Sequence, residues 1–426
     1  MKKQILLFLL LAFTTVVHAQ SVVETHTFYS AALGVEKSYL IYLPDGYSSD
    51  TAHYPSVYFL RLVETEWFDP GLRANGKTLK DVADSLIASG AIGKMILVGP
   101  STGVNTGIGF GIVNMLRPDL ATDSLIGTGE FEDYFFQDLI PHIDSAYRTV
   151  PNWCARGVDG FSLGGFASTL YSLKHPGVFS SVGGYDGTLM WYNLDYPVTP
   201  GPWDDKNWFS SGIATAAVPM FGSPTDTAYM LANSVTNILT QADPVTMDSI
   251  RQMSFHISCS SFNFSNREVN KQFVDSLAAK GIANSFPNVV LQPGAQHTYD
   301  RADQHASKTL PMHWATFASF SCAEEIILGI NNVTTSSQSI TLFQNYPNPV
   351  SSMTTIAFEV SEKSSMKIDI YDSFGKKLGE LVNGNFPSGQ HQIQLNMAGF
   401  PDGVYYYRLE SATQILTKKL LVLSGD

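Results

Sequence analysis

Two hydrophobic patterns divide the chain. Between about residues 24 and 320, short apolar runs alternate with segments whose apolar residues recur every three or four positions. Runs such as YPSVYFL, from Tyr54, predict buried strands, whereas KTLKDVADSLIASG, from Lys77, predicts a helix that ends at Gly90. Strands that alternate with helices predict an α/β fold, a mostly parallel sheet with helices on both faces.

Three later runs of the same region matter for function, because sites in such sheets form at the carboxyl ends of strands. CARGVDGFS, from Cys154, predicts a strand that enters a tight turn. MSFHISCSS, from Met253, predicts another strand, and FPNVVLQPGAQH, from Phe286, predicts a last strand that leads to His297.

The pattern changes near Leu328. The polar stretch of residues 328–341 has no periodicity and is typical of a linker. Beyond it apolar residues alternate with polar ones, and turn sequences separate the alternating runs, which predicts a small all-β sandwich over residues 342–426. The runs are Ile356, Phe358, Val360; Met366, Ile368, Ile370; and Ile393, Leu395, Met397.

The first 20 residues are typical of a secretory signal peptide. Lys2 and Lys3 precede an apolar run from Ile5 to Val17, and small residues follow it. This run is short for a membrane span, although an N-terminal anchor is the alternative. We therefore expect a first domain over residues 21–327 and a mature chain that works outside the cytoplasm.

Composition and net charge exclude some classes of binding partner. The 426 residues carry a formal net charge of −12, and 44% of them are hydrophobic. A globular protein of this charge is repelled by nucleic acid and by anionic membranes, so we expect neither as a partner. Cys154, Cys259 and Cys322 have no metal-binding spacing, and their pairing stays open between one disulfide and three buried thiols.

The sequence GFSLG, from Gly160 to Gly164, follows a predicted strand and precedes a predicted helix. In a G-x-S-x-G turn the serine sits on a sharp, strained bend that exposes its hydroxyl, and bulky neighbours would collide with nearby backbone. Ser162 is thus a candidate nucleophile, and the N–H of Leu163 is a candidate oxyanion donor at the helix start. The alternative is a structural glycine turn.

A serine hydroxyl needs a general base. His297 follows the last predicted strand, where a loop can bring its ring to the serine, and the other histidines fit less well. We therefore expect His297 to serve as the base for Ser162.

The stretches FEDYFFQDLIPHIDSAYRT and GVDGFSLGGFASTLYSLKHPGVFSSVGGYDG resemble an esterase family of α/β-hydrolases. This family includes esterase D-like enzymes, feruloyl and acetylxylan esterases, and mycolyltransferases. The resemblance covers roughly residues 24–320. It implies the α/β-hydrolase fold, hydrolysis of carboxylic esters and no cofactor or metal, and it matches Ser162 and His297 to the family's nucleophile and base.

Two positions depart from the family pattern. The family's acid follows the strand written here as FHISCSSFNF, where Asn263 is the nearest match, and an amide cannot stabilise an imidazolium. Glu268 or Asp300 are possible substitutes. The family's His-Gly pair after the strand YPSVYFL is replaced by Arg61 and Leu62, although the N–H of Leu62 is still the expected second oxyanion donor.

An aromatic insertion follows Asp186. Aromatic rings near a cleft stack on sugar or aryl rings, so the insertion is a candidate substrate-binding segment, and a lid packed by its own rings is the alternative. The tryptophans concerned are Trp191, Trp203 and Trp208.

The C-terminal region contains NYPNP, from Asn345, and TKKLLVL, from Thr417, together with IYD-x-FGK-like and G-x-YYYRL-like motifs. It resembles the C-terminal sorting domain of type IX secretion, which implies export through the type IX machinery to the surface or the exterior. A carbohydrate-binding sandwich is the alternative.

Together these features predict a secreted serine ester hydrolase that releases acyl or feruloyl groups from polysaccharide. The alternative is a catalytically degenerate esterase-like protein that binds a glycan or another surface ligand. An acyltransferase is a lesser possibility, and the acyl group, its carrier and the oligomeric state are not readable from the sequence.

Overall fold

The structure is a computed structural model that describes residues 20–102, 111–121, 124–187, 218–261, 264–320, 340–343, 345, 348, 350–372, 377–411 and 415–422. The predicted signal peptide lies almost entirely outside these residues. The chain divides into two compact units, Met1–Asn331 and Asn332–Asp426.

The first unit contains a seven-stranded sheet in the order β1-β2-β4-β3-β5-β6-β7. β1 pairs antiparallel with β2, and β2 with β4, whereas all pairs from β4 to β7 are parallel. The parallel strands are short and almost wholly buried, which explains the apolar runs of β3 and β4. The strands are β1 Val22–Ser30, β2 Val35–Leu43, β3 Ser56–Leu60, β4 Ile96–Pro100, β5 Arg156–Gly160, β6 Ser181–Tyr185 and β7 Ser254–Ser258.

Helices connect the strands, and an apolar core lies on each side of the sheet. α4 packs against β5 and β6 on one side, and α1 packs against α9. The helices are α1 Leu79–Ala88, α2 Phe131–Asp133, a π-helical segment Tyr134–Leu139, α3 Ile140–Ala146, α4 Leu163–Lys174, α5 Thr227–Ala232, α6 Val235–Gln241, α7 Pro244–Ile250, α8 Phe264–Ala279 and α9 Tyr299–Ser319.

The predicted helix α1 is confirmed, with its end just before Gly90, which has a φ of 71°. The predicted last strand is wrong. Only an isolated parallel bridge joins Val290 to Cys259. Pro287 and Pro293 flank this bridge, and because proline has no N–H, neither residue can donate a ladder hydrogen bond at its own position.

The second unit consists of antiparallel strands. A four-stranded sheet has the order β11-β10-β13-β14, and a three-stranded sheet has the order β12-β9-β8. The alternating apolar residues of β9 and β10, among them Phe358 and Ile368, are buried in one core, as their period of two predicts. The strands are β8 Ile340–Leu342, β9 Met353–Val360, β10 Ser364–Asp372, β11 Lys377–Phe386, β12 Gly389–Asn396, β13 Gly403–Ser411 and β14 Ile415–Val422.

The cysteines differ in state. Cys154 is disulfide-bonded, whereas Cys259 is a free, buried thiol. Cys322 lies outside the described residues. None of the described helices combines the length and the apolar character that a membrane crossing requires.

Candidate active site

Ser162 occupies a strained turn between β5 and α4. Its φ of 58° and ψ of −119° lie in a region that non-glycine residues rarely adopt. The flanking glycines are required by space, because a Cβ atom on Gly160 would lie 2.1 Å from the Gly164 oxygen and one on Gly164 would lie 1.8 Å from the Leu60 oxygen. The backbone of the turn is therefore packed so tightly that only glycine fits on either side.

The structure brings His297 to this serine. The Nε2 atom of His297 lies 3.0 Å from the Ser162 Oγ atom, within hydrogen-bond distance. Two contacts hold the loop that carries His297. The His297 ring lies 4.6 Å from the Phe161 ring, and the Tyr185 hydroxyl donates to the carbonyl of Gln296 at 2.5 Å. The imidazole can accept the serine proton in this arrangement.

Asp186 completes a triad of side chains. Its Oδ2 atom forms a hydrogen bond with the Nδ1 atom of His297, and its Oδ1 atom accepts the Ser260 N–H at 3.1 Å. Asp186 is fully buried and has a φ of 50° directly after β6. A carboxylate at Nδ1 holds the ring with Nε2 toward the serine, and it stabilises the imidazolium that forms on proton transfer.

The expectation for the acid therefore needs correction. Asn263 lies outside the described residues, and the carboxylate beside His297 comes from β6 and not from the segment after β7. The two possible substitutes make other contacts: Glu268 pairs with Arg267 at 3.1 Å, and Asp300 accepts the Ala74 N–H at 3.2 Å. The carboxylate missing after β7 is thus supplied by the neighbouring strand.

Asp186 had a signal in the sequence. It follows the apolar strand SVGGY directly and precedes Gly187, much as Ser162 follows β5. Because β5 and β6 are parallel neighbours, their carboxyl ends meet at one edge of the sheet. A carboxylate at the end of β6 was therefore as good a candidate as one at the end of β7, where the family pattern has its acid.

The two expected oxyanion donors differ. The Leu163 N–H is the first of α4, and within the described part of the chain it has no hydrogen-bond acceptor. The Leu62 N–H instead donates to the Glu66 Oε2 atom at 3.0 Å, and the Val63 N–H donates to the same atom at 2.7 Å. The expectation that the Leu62 N–H is open to a substrate oxygen is therefore wrong for this structure, because a carboxylate is a strong acceptor that already occupies it.

A buried polar cluster lies beneath the serine turn. Asp159 accepts the Gly160 N–H at 2.7 Å, the Thr309 hydroxyl at 2.7 Å and the His305 Nε2 atom at 3.2 Å. Burial alone would raise the pKa of Asp159, but His305 and His313 together hold it below its ordinary value. The cluster therefore attaches α9 to β5, the strand that leads into the serine turn.

The candidate substrate-binding residues Trp191, Trp203 and Trp208 all lie outside the described residues.

Sequence comparison identifies the first unit. Residues 30–253 match the family described as "Putative esterase". The chain belongs to this esterase family. The match includes Ser162 and Asp186 and ends before His297.

Two curated relatives match parts of this esterase. An endo-1,4-beta-xylanase/feruloyl esterase of Xylanibacter ruminicola is 29% identical over 174 residues, which are 39% of this chain and 21% of that protein. An esterase of Mycobacterium tuberculosis is 34% identical over 64 residues, which are 15% of this chain and 14% of that protein. The chain thus spans about a fifth or less of the length of these relatives.

Solved structures show the same fold. A ferulic acid esterase has a TM-score of 0.55 at 22% identity, over 70% of this chain and 99% of that one. A fluorophosphonate-binding serine hydrolase of Staphylococcus aureus, FphF, has a TM-score of 0.50 at 15% identity, over 69% and 99% of the two chains. The predicted α/β-hydrolase fold of this esterase is confirmed.

The second unit is a sorting domain. Residues 344–423 match the secretion system C-terminal sorting domain. This confirms the resemblance seen in the tail, and it assigns this esterase to type IX export to the cell surface or the exterior.

Proposed function

We propose that the chain is a serine hydrolase of carboxylic esters with Ser162 as nucleophile, His297 as general base and Asp186 as the acid that orients the base. The observation that carries the proposal is the continuous hydrogen-bonded series from the Ser162 Oγ atom through His297 to Asp186. Ser162 follows β5, Asp186 follows β6 and His297 lies in the loop before α9, so no local motif alone accounts for their meeting.

The reaction follows from this series. The Ser162 oxygen attacks the acyl carbon while Nε2 of His297 takes the hydroxyl proton, and the carbonyl π electrons move to oxygen. The Leu163 N–H, at the positive end of α4, stabilises this oxyanion. His297 then gives its proton to the departing alcohol, an acyl-enzyme remains, and a water molecule activated by His297 releases the acid and restores the serine.

The substrate we propose is an acyl or feruloyl ester on polysaccharide. The name of the Xylanibacter relative joins a xylanase to a feruloyl esterase, and the sorting domain delivers this chain to a place where such polymers occur. The proposal assigns substrate stacking to Trp191, Trp203 and Trp208, whose rings suit sugar and aryl groups.

The alternative, a degenerate protein that binds glycan without turnover, depended on two departures: the amide in the place of the acid, and Arg61 and Leu62 in the place of the His-Gly pair. Asp186 places a carboxylate beside His297, which favours the hydrolase, whereas the Leu62 N–H already donates to Glu66. Binding without hydrolysis therefore becomes an outcome of the test below.

Hydrolysis of p-nitrophenyl acetate, methyl ferulate and feruloylated arabinoxylan by the wild type and by Ser162→Ala tests the proposal. Ser145→Ala is a matched control, because the Ser145 hydroxyl is exposed and donates to the His142 carbonyl in the same turn of α3. We expect Ser162→Ala to lose activity on all three substrates and Ser145→Ala to keep it. Equal rates for the wild type and Ser162→Ala would overturn the hydrolase, and activity on the two small esters alone would overturn the polysaccharide substrate.

A further inference from the structure

Tyr299 connects three segments that meet at the candidate active site. It is the first residue of α9, two positions after His297. Its hydroxyl donates to the Oε1 atom of Glu66, and the Nε atom of Arg61 lies 3.2 Å from the same hydroxyl. Burial and the nearby carboxylate raise the pKa of Tyr299 to about 12, so the hydroxyl keeps its proton and remains a donor.

The Glu66 carboxylate links the Tyr299 hydroxyl to the backbone of the loop after β3. While one of its oxygens accepts from Tyr299, the other accepts the N–H groups of Leu62 and Val63. Arg61 lies 3.4 Å from the same carboxylate, and both of these side chains are only 15% exposed. The carboxylate is thus fully engaged, and the loop cannot shift without breaking charge-assisted hydrogen bonds.

The Tyr299 ring adds a contact to the nucleophile strand. It packs edge-on against the Phe161 ring at 5.3 Å, and Phe161 precedes Ser162 directly. The guanidinium groups of Arg61 and Arg73 lie 5.7 and 5.0 Å from the Tyr299 ring. The Tyr299 side chain therefore contacts both Phe161, the residue before Ser162, and the loop after β3. Its backbone continues directly from the loop that carries His297.

Arg73 provides a second attachment of the same loop to α9. It is fully buried and pairs with Asp303, one turn along the helix from Tyr299, at 2.8 Å. It also donates to the carbonyls of Trp67 at 3.1 Å and Asp69 at 3.0 Å. With this anchor in place, loss of the Tyr299 hydroxyl should loosen the loop locally and leave the unit folded.

We propose that Tyr299 is a positioning residue that, through Glu66, fixes the loop after β3 relative to Ser162 and His297. The inference rests on the proposed hydrolase function. Tyr299 and Glu66 touch none of the reacting atoms. They act on the geometry of the site, where a displacement of 1 Å or less lowers turnover substantially.

Tyr299→Phe removes the hydroxyl and keeps the ring. Tyr42→Phe is the matched control, because the Tyr42 hydroxyl also donates to a carboxylate, Asp84 at 2.8 Å, but links β2 to α1. We expect Tyr299→Phe to lower kcat about 10-fold with KM within about twofold, and Tyr42→Phe to leave both constants unchanged. Equal kinetics for the two variants would overturn the proposal.

Variants of Glu66 test whether Tyr299 acts on the loop after β3 through the Glu66 carboxylate. Glu66→Ala should lower kcat as Tyr299→Phe does, and the double variant should be no worse than Glu66→Ala, because the two residues act in series. Glu66→Gln should recover part of the loss, since its amide can still accept the two N–H groups and donate to Tyr299. Additive losses would overturn the route through Glu66.

A measurement without turnover separates this inference from the proposed function. Hydrogen exchange of the amides of Leu62 and Val63 should accelerate in Tyr299→Phe and stay at the wild-type rate in Tyr42→Phe. If the wild type hydrolyses no ester, the proposed function fails, and the exchange rates still decide the link. Unchanged exchange in Tyr299→Phe would overturn it.

Discussion

Asp186, which directly follows β6, holds the Nδ1 side of His297, while the Nε2 side of the same ring lies 3.0 Å from the Ser162 Oγ atom. The carboxylate beside His297 thus comes from the end of β6, the parallel neighbour of the strand that precedes Ser162. Parallel neighbours present their carboxyl ends at one edge, so a carboxylate at the end of β6 reaches the ring as well as one at the end of β7 would.

This relationship predicts that Asp186→Asn lowers kcat by about 10⁴, the loss that follows the same exchange in a serine protease, because an amide favours the wrong tautomer of the histidine. Asparagine keeps an oxygen that can accept the Ser260 N–H, so the fold should persist. The measurement is kcat for p-nitrophenyl acetate together with the thermal midpoint of the esterase unit.

Glu268→Gln is the control for this exchange. Its carboxylate pairs with Arg267 at 3.1 Å and is 41% exposed. We expect wild-type kinetics. Full activity in Asp186→Asn, or a comparable loss in Glu268→Gln, would contradict the assignment of the acid.

The glycines of the serine turn predict a steric effect. Gly164→Ala places a methyl group 1.8 Å from the Leu60 oxygen, which is backbone and cannot move aside as a side chain would. We expect the free energy of unfolding to fall by about 2 kcal/mol or more, since overpacking of a tight site costs this much. Chemical denaturation with tryptophan fluorescence measures it.

Gly184→Ala tests whether this loss is specific to the turn. Gly184 lies in β6, and its added Cβ atom would be 3.4 Å from the Gly165 oxygen and from the Ile257 side chain, close to ordinary contact. A much smaller loss is expected there. Equal destabilisation by the two alanines would show that the turn is no more crowded than the strand.

The sequence was sufficient for the features that depend on local pattern. The short strands, α1 and the serine turn follow from residue spacing, because burial on both faces and a sharp bend each demand particular residue types. The carboxylate beside His297 needed the strand order as well, since the position of Asp186 after a strand is readable from the sequence but the adjacency of β6 to β5 is not. The acceptor of the Leu62 N–H was equally hidden, because it depends on how Glu66 folds back in its loop.

The burial of Cys259 predicts that its thiol does not react while the protein is folded. It is buried, and burial raises the pKa of its thiol to about 12, so almost no thiolate forms near neutral pH. Iodoacetamide at pH 8 without reductant should leave Cys259 unmodified in the native protein and alkylate it in guanidinium chloride. Peptide mass spectrometry measures the modified fraction, and rapid alkylation of the native protein would contradict the buried placement.

His256 predicts the dependence of stability on pH. Its Nε2 atom lies 2.8 Å from the Ser181 hydroxyl and its Nδ1 atom 2.8 Å from the Ser285 hydroxyl. Burial lowers the pKa of His256 well below its ordinary value, and His313 and His305 lower it further while Asp159 opposes them. The folded protein therefore keeps this ring neutral at a pH where the unfolded chain already binds a proton.

The direction in which stability changes with pH follows from this difference in proton binding. Above about pH 6.5 both states leave the ring neutral and the group has no effect, whereas below it the unfolded state binds more protons and stability falls as pH falls. Between pH 7.5 and 5.0 this contributes a loss of up to about 2 kcal/mol. The carboxyl of Asp159, whose pKa is lowered, stays ionised in both states over most of this window and adds little to the slope.

His256→Gln should flatten this slope, because glutamine does not titrate. The exposed His53 serves as the control, and His53→Gln should keep the wild-type slope. Unfolding free energies from urea titrations at pH 5.0, 6.0, 7.0 and 7.5 give the slopes directly. A slope in His256→Gln as steep as that of the wild type would show that another group takes up the proton on acid unfolding.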